Sequence, residues 1–376
     1  MYMTQSVFDE MFMRRAIEIA WRGRWSTHPN PRVGCVIVKG DKIIGEGWHV
    51  RAGEGHAEVN ALKSLKESPN GATAYVTLEP CSHYGRTPPC AKALIEAGVT
   101  RVVAAMTDPN PQVSGRGLKM LADAGIAVQS GLLESEAEAL NVSFLFRMRN
   151  GRPLVRLKMA ESIDGRTALE SGESKWITGE EARADVQRWR AECGAILTSN
   201  ATVAADNPSM NIRPSQLPKD VLDAYPDTAL RQPDLIVMGS NISASADANI
   251  FSEPSRRVIA VYPEGGQSCG PFSETLKVSG IGYGQPGYLK RALELIAEQN
   301  INDVWVEAGS RLSAVFMREN LADEFILYIA PKLLGSDAKP LLNIAGLACM
   351  DEAKNFATVS VERFGNDVRI VMKPEA

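Results

Sequence analysis

The sequence has 376 residues, of which 44% are apolar and 23% charged, a composition typical of a folded protein with two or three domains. Its net charge of −4 argues against a general nucleic-acid binder, which would need a basic surface. No run of about 18 apolar residues and no signal peptide occurs, so we expect a cytoplasmic protein that does not enter a membrane.

Residues 1–150 alternate between helical and strand patterns. A helix is predicted over residues 9–21, because Phe12, Ala16 and Ile19 repeat at helical spacing. Such alternation predicts a sheet covered by helices. The later predicted elements are strands 33–38 and 43–48 as a hairpin, helix 57–65, strand 74–78, a helix from Cys90, strand 101–105, helix 118–124, strand 126–128 and helix 135–149.

A domain boundary is predicted at Asn150-Gly-Arg-Pro153, where the charge balance changes. Residues 1–150 hold 17 Lys/Arg and 15 Asp/Glu (net +2), whereas residues 151–376 hold 24 and 30 (net −6). Thr178-Gly-Glu-Glu181 is a capping box that predicts a helix start at Thr178. The predicted strands are 154–159, 195–198, 235–238, 258–262, 304–307, 325–329 and a hairpin of 359–364 with 368–372. We therefore expect two α/β domains, 1–150 and 151–376.

All four histidines lie within the first 83 residues, and three of the six cysteines within the first 90. His56-Ala-Glu58, Cys81 and Cys90 offer one imidazole and two thiolates, which can hold zinc and leave a fourth position for water. Glu58 reaches the same site only if both residues lie in the first turn of a helix, and it could then move a proton to and from that water. The alternative is two buried thiols and a hydrogen-bonded histidine. His83 is a rival ligand, and Cys35 is interpreted as a core residue.

The layout His56-Ala-Glu58, Pro80-Cys81 and Cys90 resembles the zinc-dependent cytidine-deaminase superfamily, with eight residues between the cysteines in place of two. His28-Pro-Asn-Pro-Arg-Val-Gly34, Gly55-His-Ala-Glu58 and Thr77-Leu-Glu-Pro-Cys-Ser-His-Tyr-Gly-Arg-Thr-Pro-Pro-Cys90 resemble the bacterial bifunctional riboflavin-biosynthesis deaminase/reductases. The resemblance implies a cytidine-deaminase-like α/β/α domain, with zinc on His56, Cys81 and Cys90 and Glu58 as the catalytic proton carrier.

Three further polar residues of the first half are candidate substrate contacts. Asn30 and His49 are interpreted as polar groups of the pocket, with surface positions as the alternative. Arg86 could bind a substrate phosphate or could be a solvated loop charge.

The second half contains Gly282-Tyr-Gly-Gln-Pro-Gly287, which fits the G-x-G-x-x-G pattern and precedes a predicted helix over 288–298. A dinucleotide fingerprint should follow a strong strand near the start of its domain, whereas here the preceding strand, 276–278, is weak. We interpret the motif as a Gly/Pro linker.

The stretches 157–166, 171–178, 194–208 and 306–312 resemble the reductase half of the same bifunctional family. The resemblance implies a dihydrofolate-reductase-like domain that uses NADPH. The implied cofactor contacts are Ala160, Trp176, Thr202, Asp206, Ser240, Gly309, Ser310, Arg311, Leu312, Ser313, Ala314 and Val315. The implied substrate contacts are Lys158, Ser174, Arg190, Met210, Arg213 and Glu307. Trp176 could instead be a core residue, and the alignment at Ser240 can slip by one residue.

The resemblance implies two consecutive reactions and a homo-oligomer. The first is hydrolytic deamination of 2,5-diamino-6-ribosylamino-4(3H)-pyrimidinone 5′-phosphate, and the second is reduction of the ribosyl group to ribityl by NADPH. Because no histidine follows His83, proton transfer in the second step must use Lys158, Asp206, Glu307 or water. The alternatives are a nucleobase deaminase with a nucleic-acid recognition module, and a zinc-stabilised binding protein without turnover.

Overall fold

The computed structural model describes residues 5–82, 88–110, 113–224 and 230–375. The chain forms two compact units that divide between Asn150 and Gly151, except that Ala224 and Leu230 group with the first unit. Within the described ranges, none of the helices has both the length and the apolar character needed to cross a membrane.

The first unit is a five-stranded sheet with helices on both faces. The sheet order is β2-β1-β3-β4-β5, with β1 antiparallel to β2 and β3, and with β3, β4 and β5 parallel. The predicted hairpin of β1 and β2 is confirmed. Its elements are α1 (Gln5–Ala20), β1 (Gly34–Lys39), β2 (Lys42–Trp48), α2 (Ala57–Lys63), β3 (Thr73–Val76), α3 (Cys90–Glu96), β4 (Arg101–Ala104), α4 (Arg116–Asp123), β5 (Ala127–Ser130), α5 (Glu134–Leu140) and α6 (Val142–Asn150), with a 3-10 turn at Trp21–Gly23.

The interior strand β1 is buried on both faces, which explains its continuous apolar sequence. Val36 and Val38 pack with α1, α5 and α6, whereas Cys35 and Ile37 pack with α2, α3 and α4. Successive side chains of a strand point to opposite faces, so one apolar run supplies both cores. The interpretation of Cys35 as a core residue is confirmed, since it is fully buried.

The prediction of a single helix over 135–149 is wrong, because the helix is interrupted at Asn141, which separates α5 from α6. Asn141 has non-helical dihedral angles (φ −127°, ψ 30°). Its side-chain amide accepts a hydrogen bond from the backbone N–H of Arg32 at 2.7 Å and donates one to the Arg32 carbonyl at 2.9 Å. This long-range pairing competes with the helix, as Asn side chains commonly do.

The second unit contains a nine-stranded sheet in the order β13-β11-β9-β8-β14-β6-β15-β18-β17. The pairings are parallel from β13 to β15, and β18 is antiparallel to both β15 and β17, which confirms the C-terminal hairpin. The strands are β6 (Leu154–Ser162), β7 (Arg166–Ala168), β8 (Ala195–Ser199), β9 (Asp234–Met238), β10 (Ile242–Ser243), β11 (Val258–Pro263), β12 (Ser268–Cys269), β13 (Glu274–Val278), β14 (Asp303–Val306), β15 (Glu324–Ala330), β16 (Lys339–Pro340), β17 (Phe356–Phe364) and β18 (Asp367–Pro374).

Helices join the parallel strands of this sheet. Short 3-10 turns cover Pro214–Gln216, Asn249–Phe251 and Met350–Glu352. Strands β7 and β16 pair with each other, as do β10 and β12. The helices are α7 (Glu180–Glu192), α8 (Asn200–Asp206), α9 (Lys219–Ala224), α10 (Tyr288–Glu298) and α11 (Ser310–Arg318).

The predicted capping box at Thr178 is wrong. Helix α7 has Gly179 as its N-cap residue, without a side-chain cap among the described residues. The backbone N–H of Gly179 instead donates to the carboxylate of Asp367 at 2.6 Å. Asp367 belongs to β18, far along the chain, so a tertiary contact replaces the local one.

The motif Gly282–Gly287 follows β13, an edge strand of the sheet, and leads into α10. Gly287 is the N-cap residue of that helix and has a left-handed φ of 84°. Glycine adopts this conformation without a steric cost. The position at a sheet edge, late in the domain, favours the interpretation as a linker over a dinucleotide fingerprint.

Candidate active sites

Three potential metal ligands of the first unit converge, although 34 residues separate the outer two. The Nδ1 atom of His56 lies 3.3 Å from the Sγ atom of Cys90 and 3.7 Å from that of Cys81. All three ligand atoms lie within 4.8 Å of one another. An imidazole and two thiols at this spacing fit a single tetrahedral zinc ion with ligands at about 2.0–2.3 Å.

Two helix starts supply these side chains. His56 is the N-cap residue of α2, in an extended conformation, and Glu58 lies in the first turn of that helix. The H-x-E spacing requires this arrangement for both residues to face one site. Cys90 is the first residue of α3, and its backbone N–H donates to the Cys81 sulfur at 3.3 Å.

Burial controls the proton affinity of Glu58, which is only 3% exposed. Burial, followed by the nearby Cys81 sulfur, raises the pKa of Glu58 to about 7. A hydrogen bond from the Cys90 thiol lowers the pKa of Cys81, which favours the thiolate. A carboxyl group that titrates near neutral pH, beside a metal site, suits general acid–base catalysis.

His49 and Asn30 form a polar pair beside this site. The His49 ring packs edge-on against His56, with 5.3 Å between ring centroids. Its Nδ1 lies 3.2 Å from the Gly55 carbonyl and its Nε2 lies 3.1 Å from Nδ2 of Asn30. Since a carbonyl only accepts, Nδ1 donates to Gly55, and Nε2 accepts from Asn30. Burial lowers the pKa of His49 to about 4, and its 2% exposure excludes a surface position.

The sequence interpretation missed Glu79, which lies directly before Pro80-Cys81. Its buried carboxylate accepts hydrogen bonds from the backbone N–H groups of four residues at 2.8–3.3 Å; these residues are Asp108, Gly115, Gly117 and Leu118. The carboxylate therefore fixes the segment after β4 next to the metal ligands. An ionisable residue at the end of a buried strand is the signal that could have found it. His83 and Arg86 lie outside the described residues, and their roles stay predictions.

In the second unit, parallel strands place the predicted reductase residues at one edge of the sheet. Strands β9, β8, β14 and β6 are consecutive neighbours, so their carboxyl ends share that edge. This edge of an open α/β sheet is where ligands bind. Predicted residues at or after these strand ends are Ala160, Thr202, Asp206, Ser240, Glu307 and the Gly309–Val315 segment.

Arg190 and Glu307 form a largely buried ion pair at this edge. The Nε and Nη2 atoms of Arg190 donate to the two Glu307 oxygens at 2.7 and 2.9 Å. The indole N–H of Trp305 donates to Oε1 of Glu307 at 2.8 Å. Burial alone would raise the pKa of Glu307, but Arg190 outweighs it and lowers the pKa to about 2.

Lys158 lies on β6 close to this pair. Its ammonium group lies 5.8 Å from the centre of the Tyr328 ring. Burial lowers the pKa of Lys158, while Glu307 opposes that shift. The strand thus carries an amine that releases a proton more readily than a free lysine does.

Met210 and Arg213 belong to the segment between α8 and the Pro214–Gln216 turn. Met210 is 7% exposed, and its sulfur lies 3.8 Å from Nη2 of Arg190, which also donates to the Asn211 carbonyl at 2.9 Å. The structure therefore brings three predicted substrate residues together, Arg190, Met210 and Glu307. The Arg213 backbone N–H donates to the Gln187 side chain at 2.9 Å.

The other predicted contacts are more exposed. Trp176 is 59% exposed, which excludes the alternative of a core residue. The guanidinium of Arg183 lies 4.6 Å from the centre of its ring. Ser174, Asp206 and Ser240 are also exposed. Trp176 and Ser174 lie between β7 and α7, and the Trp176 carbonyl accepts a hydrogen bond at 2.7 Å from Lys332, which follows β15.

The N-terminus of helix α11 has space for a ligand. Its N-cap residue Gly309 has no side-chain cap, and a Cβ atom there would meet nothing within 4 Å. Ser313 and Ala314 are buried, whereas Arg311 is exposed. An uncapped helix N-terminus at the ligand-binding edge of the sheet fits a phosphate group.

Comparison with known proteins extends over the whole chain. Residues 153–370 match the family model of the RibD C-terminal domain, and residues 6–106 match that of the cytidine and deoxycytidylate deaminase zinc-binding region. Riboflavin biosynthesis protein RibD of Escherichia coli K12 is 50% identical over 96% of this chain and 98% of its own length. The Haemophilus influenzae protein of the same name is 46% identical over 98% of both chains.

Solved structures agree with this assignment. A structure of Acinetobacter baumannii RibD matches with a TM-score of 0.86 and 42% identity, over 99% of this chain and 100% of the other. A Thermotoga maritima protein described as a diaminohydroxyphosphoribosylaminopyrimidine deaminase/5-amino-6-(5-phosphoribosylamino)uracil reductase matches with a TM-score of 0.78 and 31% identity, at the same coverage. The expected fold class, a cytidine-deaminase-like domain followed by a reductase domain, is confirmed. The chain belongs to the RibD family, and it is a bifunctional deaminase and reductase of riboflavin biosynthesis whose cofactors are zinc and NADPH.

Proposed function

We propose that the first unit deaminates 2,5-diamino-6-ribosylamino-4(3H)-pyrimidinone 5′-phosphate and that the second unit then reduces the ribosyl group of the product to ribityl. The observation that carries the proposal is the convergence of His56, Cys81 and Cys90 within 4.8 Å beside buried Glu58. The Thermotoga maritima relative is described by the same two activities.

In the deaminase site, His56, Cys81 and Cys90 would hold zinc. Bound zinc supplies a Lewis acid that makes water nucleophilic near neutral pH. Glu58 takes a proton from the attacking water and delivers it to the departing amine, which leaves as ammonia. Burial raises the pKa of Glu58, which favours its uptake of the proton that it later delivers to the amine.

Asn30 and His49 orient the pyrimidine ring. The neutral His49 ring accepts a hydrogen bond from the Asn30 amide and so fixes which way that amide points. The Asn30 carbonyl oxygen then remains to accept from an N–H group of the substrate. Arg86 is proposed to meet the substrate phosphate.

In the reductase site, Lys158, Arg190, Met210 and Glu307 surround the ribosyl group, while Ser174 and Arg213 contact other parts of the substrate. NADPH supplies a hydride when it is bound. Opening of the ribose makes C1′ electrophilic and leaves a ring oxygen that must gain a proton. Glu307 cannot donate that proton, because Arg190 keeps it ionised. Lys158 is the proton donor, since its ammonium is largely buried beside the pair and its pKa is lowered.

Two features of the second unit fit NADPH. The uncapped start of α11, with Ser310 and Arg311 exposed or half-buried, offers backbone N–H groups to a phosphate. A shallow groove adjoins that helix and is lined mainly by apolar and aromatic side chains, including Tyr283, Tyr288 and Leu312. Such a groove accepts a flat nucleotide ring. Ala160, Trp176, Thr202, Asp206 and Ser240 complete the proposed cofactor contacts.

We also propose that the enzyme is a cytoplasmic homo-oligomer. Two cysteine ligands must stay reduced to bind zinc, which the cytoplasm ensures. Val359 and Val361 are 56% and 61% exposed on β17, an edge strand whose backbone can pair with another copy. Light scattering on the purified protein tests this point, and a monomer at micromolar concentration would contradict it.

A coupled assay tests the two-step function. The diaminopyrimidinone phosphate is added first without NADPH, and ammonia is measured; NADPH is then added, and its oxidation is followed. We expect ammonia release without NADPH, and NADPH oxidation only after deamination. Oxidation that precedes ammonia release would reverse the order of the steps. Ammonia release only from cytidine in single-stranded DNA would favour a nucleic-acid deaminase.

A further inference from the structure

The 207–213 loop, which carries Met210 and Arg213, has an unusual backbone. Asn207 and Met210 have left-handed φ angles of 39° and 47°. Non-glycine residues in this region are strained, and they persist only where surrounding contacts impose the conformation. Met210 is the more costly case, because it lacks the short polar side chain that helps asparagine adopt this conformation.

Arg256 supplies the contacts at Ser209 and Met210, whereas Asn249 holds Asn207 and Gln232 holds Ile212. Arg256 is only 6% exposed and lies two residues before β11, which begins at the buried Val258. Its guanidinium donates to the backbone carbonyl of Met210, to that of Ser209 at 2.5 Å and to that of Ile250 at 2.9 Å. Two consecutive carbonyls of the loop thus accept hydrogen bonds from one side chain, and that side chain comes from a different part of the chain.

Burial of the Arg256 guanidinium costs free energy. In the described part of the second unit, the buried guanidiniums of Arg156, Arg190 and Arg369 each pair with carboxylates, whereas Arg256 has carbonyl partners only. Burial accordingly lowers the pKa of Arg256 to about 10, although it remains a cation at neutral pH. Burying a cation without an ion pair costs free energy that an apolar side chain would not.

The 207–213 loop, which Arg256 holds, also contacts Arg190 of the reductase site. Arg190 donates to the Asn211 carbonyl at 2.9 Å and approaches the Met210 sulfur at 3.8 Å. The same guanidinium holds Glu307 through Nε and through Nη2, the nitrogen that also approaches the Met210 sulfur. A loop that moved by about 1 Å would therefore displace two acceptors of Arg190, and such a displacement can cost a hundredfold in activity.

We propose that Arg256 is a positioning residue of the reductase site, which holds the 207–213 loop in the conformation that binds the phosphorylated ribose of the substrate. This inference rests on the proposed function of the second unit. Arg256 acts through Met210 and Arg190 and does not itself contact the substrate.

The test uses full-length enzyme, because the deaminase activity of each preparation reports on folding. Arg256→Gln is compared with wild type by steady-state kinetics of both reactions, with purified deaminated substrate for the reductase. We expect the reductase KM for this substrate to rise by about ten- to a hundredfold. The deaminase kcat should stay within twofold.

Arg257→Gln is the matched control. Arg257 adjoins Arg256 in the sequence but donates to Asp234 at 2.6 Å, away from the loop. We expect its reductase KM to remain within twofold of wild type. An equal rise in KM for Arg257→Gln would overturn the inference, since any charge change in this stretch would then have the same effect.

Two more variants separate positioning from folding. Arg256→Lys keeps a buried cation with three N–H donors, so its reductase KM should lie between those of wild type and Arg256→Gln. If Arg256→Gln does not accumulate as folded protein, the KM of Arg256→Lys is compared with wild type alone, and a rise supports the inference. In a Met210→Ala background, Arg256→Gln should raise KM less than it does alone, because residues that act through one contact are not additive.

Three results would overturn the inference: an unchanged reductase KM in both Arg256 variants, a parallel fall of both activities without a change in KM, or full additivity with Met210→Ala. Wild-type enzyme that fails to oxidise NADPH would instead refute the proposed reductase function, so the two failures are distinguishable.

Discussion

Arg190 and Glu307 lie 117 residues apart in the sequence and meet in a two-pronged ion pair, with N–O distances of 2.7 and 2.9 Å. Helix α7 carries the arginine, and the glutamate follows β14. The pair joins two elements at the carboxyl edge of the sheet and leaves the carboxylate ionised, because Arg190 lowers its pKa to about 2 against the opposing effect of burial. Glu307 is therefore a fixed negative charge in the site at any pH at which the enzyme works.

Replacement of Glu307 tests this charge. Glu307→Gln should leave Arg190 without its counter-charge and raise the reductase KM by about tenfold or more, because a buried charge loses its partner. The wild-type reductase should show no loss of substrate binding between pH 8 and pH 5, since a carboxyl with a lowered pKa protonates only near pH 2. Steady-state kinetics across that range measure both effects. A KM that rises as the pH falls through 5 would contradict the assignment.

Glu58→Gln should lower the rate of deamination by a factor of about 10² to 10⁴, which is the contribution typical of a general acid–base group. Zinc content should remain near one per chain, because Glu58 is not among the three converging ligands. Ammonia release and elemental analysis measure the two quantities. Glu54→Gln, an exposed change four residues upstream, is the control. Deamination at the wild-type rate in zinc-loaded Glu58→Gln would refute the proton-carrier role.

Removal of zinc should separate the two activities. Chelation, or Cys90→Ser, should eliminate deamination, whereas reduction of the purified deaminated substrate by NADPH should persist. The reductase residues Lys158, Arg190 and Glu307 all belong to the second unit, which the metal ligands do not share. Cys269→Ser, at an exposed cysteine, should change neither activity nor zinc content. Deamination that survives complete loss of zinc would exclude the metal mechanism.

Lys158→Met should reduce the rate of NADPH-dependent reduction by about 10² or more, while deamination stays unchanged. Methionine approximates the length of the lysine side chain but cannot supply a proton or a positive charge beside Glu307. Single-turnover NADPH oxidation measures the loss directly. Lys277→Met is the control, because Lys277 forms an exposed ion pair with Glu264 on the edge strand β13. An equal loss of both activities in Lys158→Met would indicate a folding defect.

Asp9 stabilises the first unit through a buried network. Its carboxylate accepts from Arg101 at 2.6 Å and from the Tyr75 hydroxyl at 2.6 Å. The hydrogen bond from Arg101 lowers the pKa of Asp9 to about 2, against the effect of burial. Asp9→Asn should therefore lower the free energy of unfolding by about 2 kcal/mol at pH 7.

The pH dependence of this loss has a defined sign. A carboxyl whose pKa is lowered on folding contributes stability above its unfolded pKa, about 3.9, and loses it as the pH falls toward about 2. Calorimetry should show the difference between wild type and Asp9→Asn disappearing over that interval. Lys42→Gln, which breaks an exposed ion pair with Glu67, should change stability by less than about 1 kcal/mol. A constant difference from pH 7 to pH 2 would contradict the argument.

Local patterns predicted most elements because each depends on neighbouring residues. The hairpin of β1 and β2, the start of α3 at Cys90 and the 288–298 helix agree with the structure, since periodicity and turn residues act within a few positions. The two local errors have one cause. Asn141 interrupts a helix to pair with Arg32, and Asp367 replaces the capping box of α7, so contacts distant in sequence overrode local preference.

The sequence by itself indicated the family through its resemblance, and it predicted the three metal ligands and Glu58, because H-x-E followed by two cysteines offers zinc ligands and a proton carrier. Only the tertiary structure shows that Glu79 binds the backbone of the segment after β4, that Arg190 pairs with Glu307, and that Arg256 holds the 207–213 loop. These contacts join residues from 29 to 117 positions apart, and no periodicity or spacing encodes them. They arise because the parallel sheet brings the ends of separate strands to one edge, and because buried charges must find partners there.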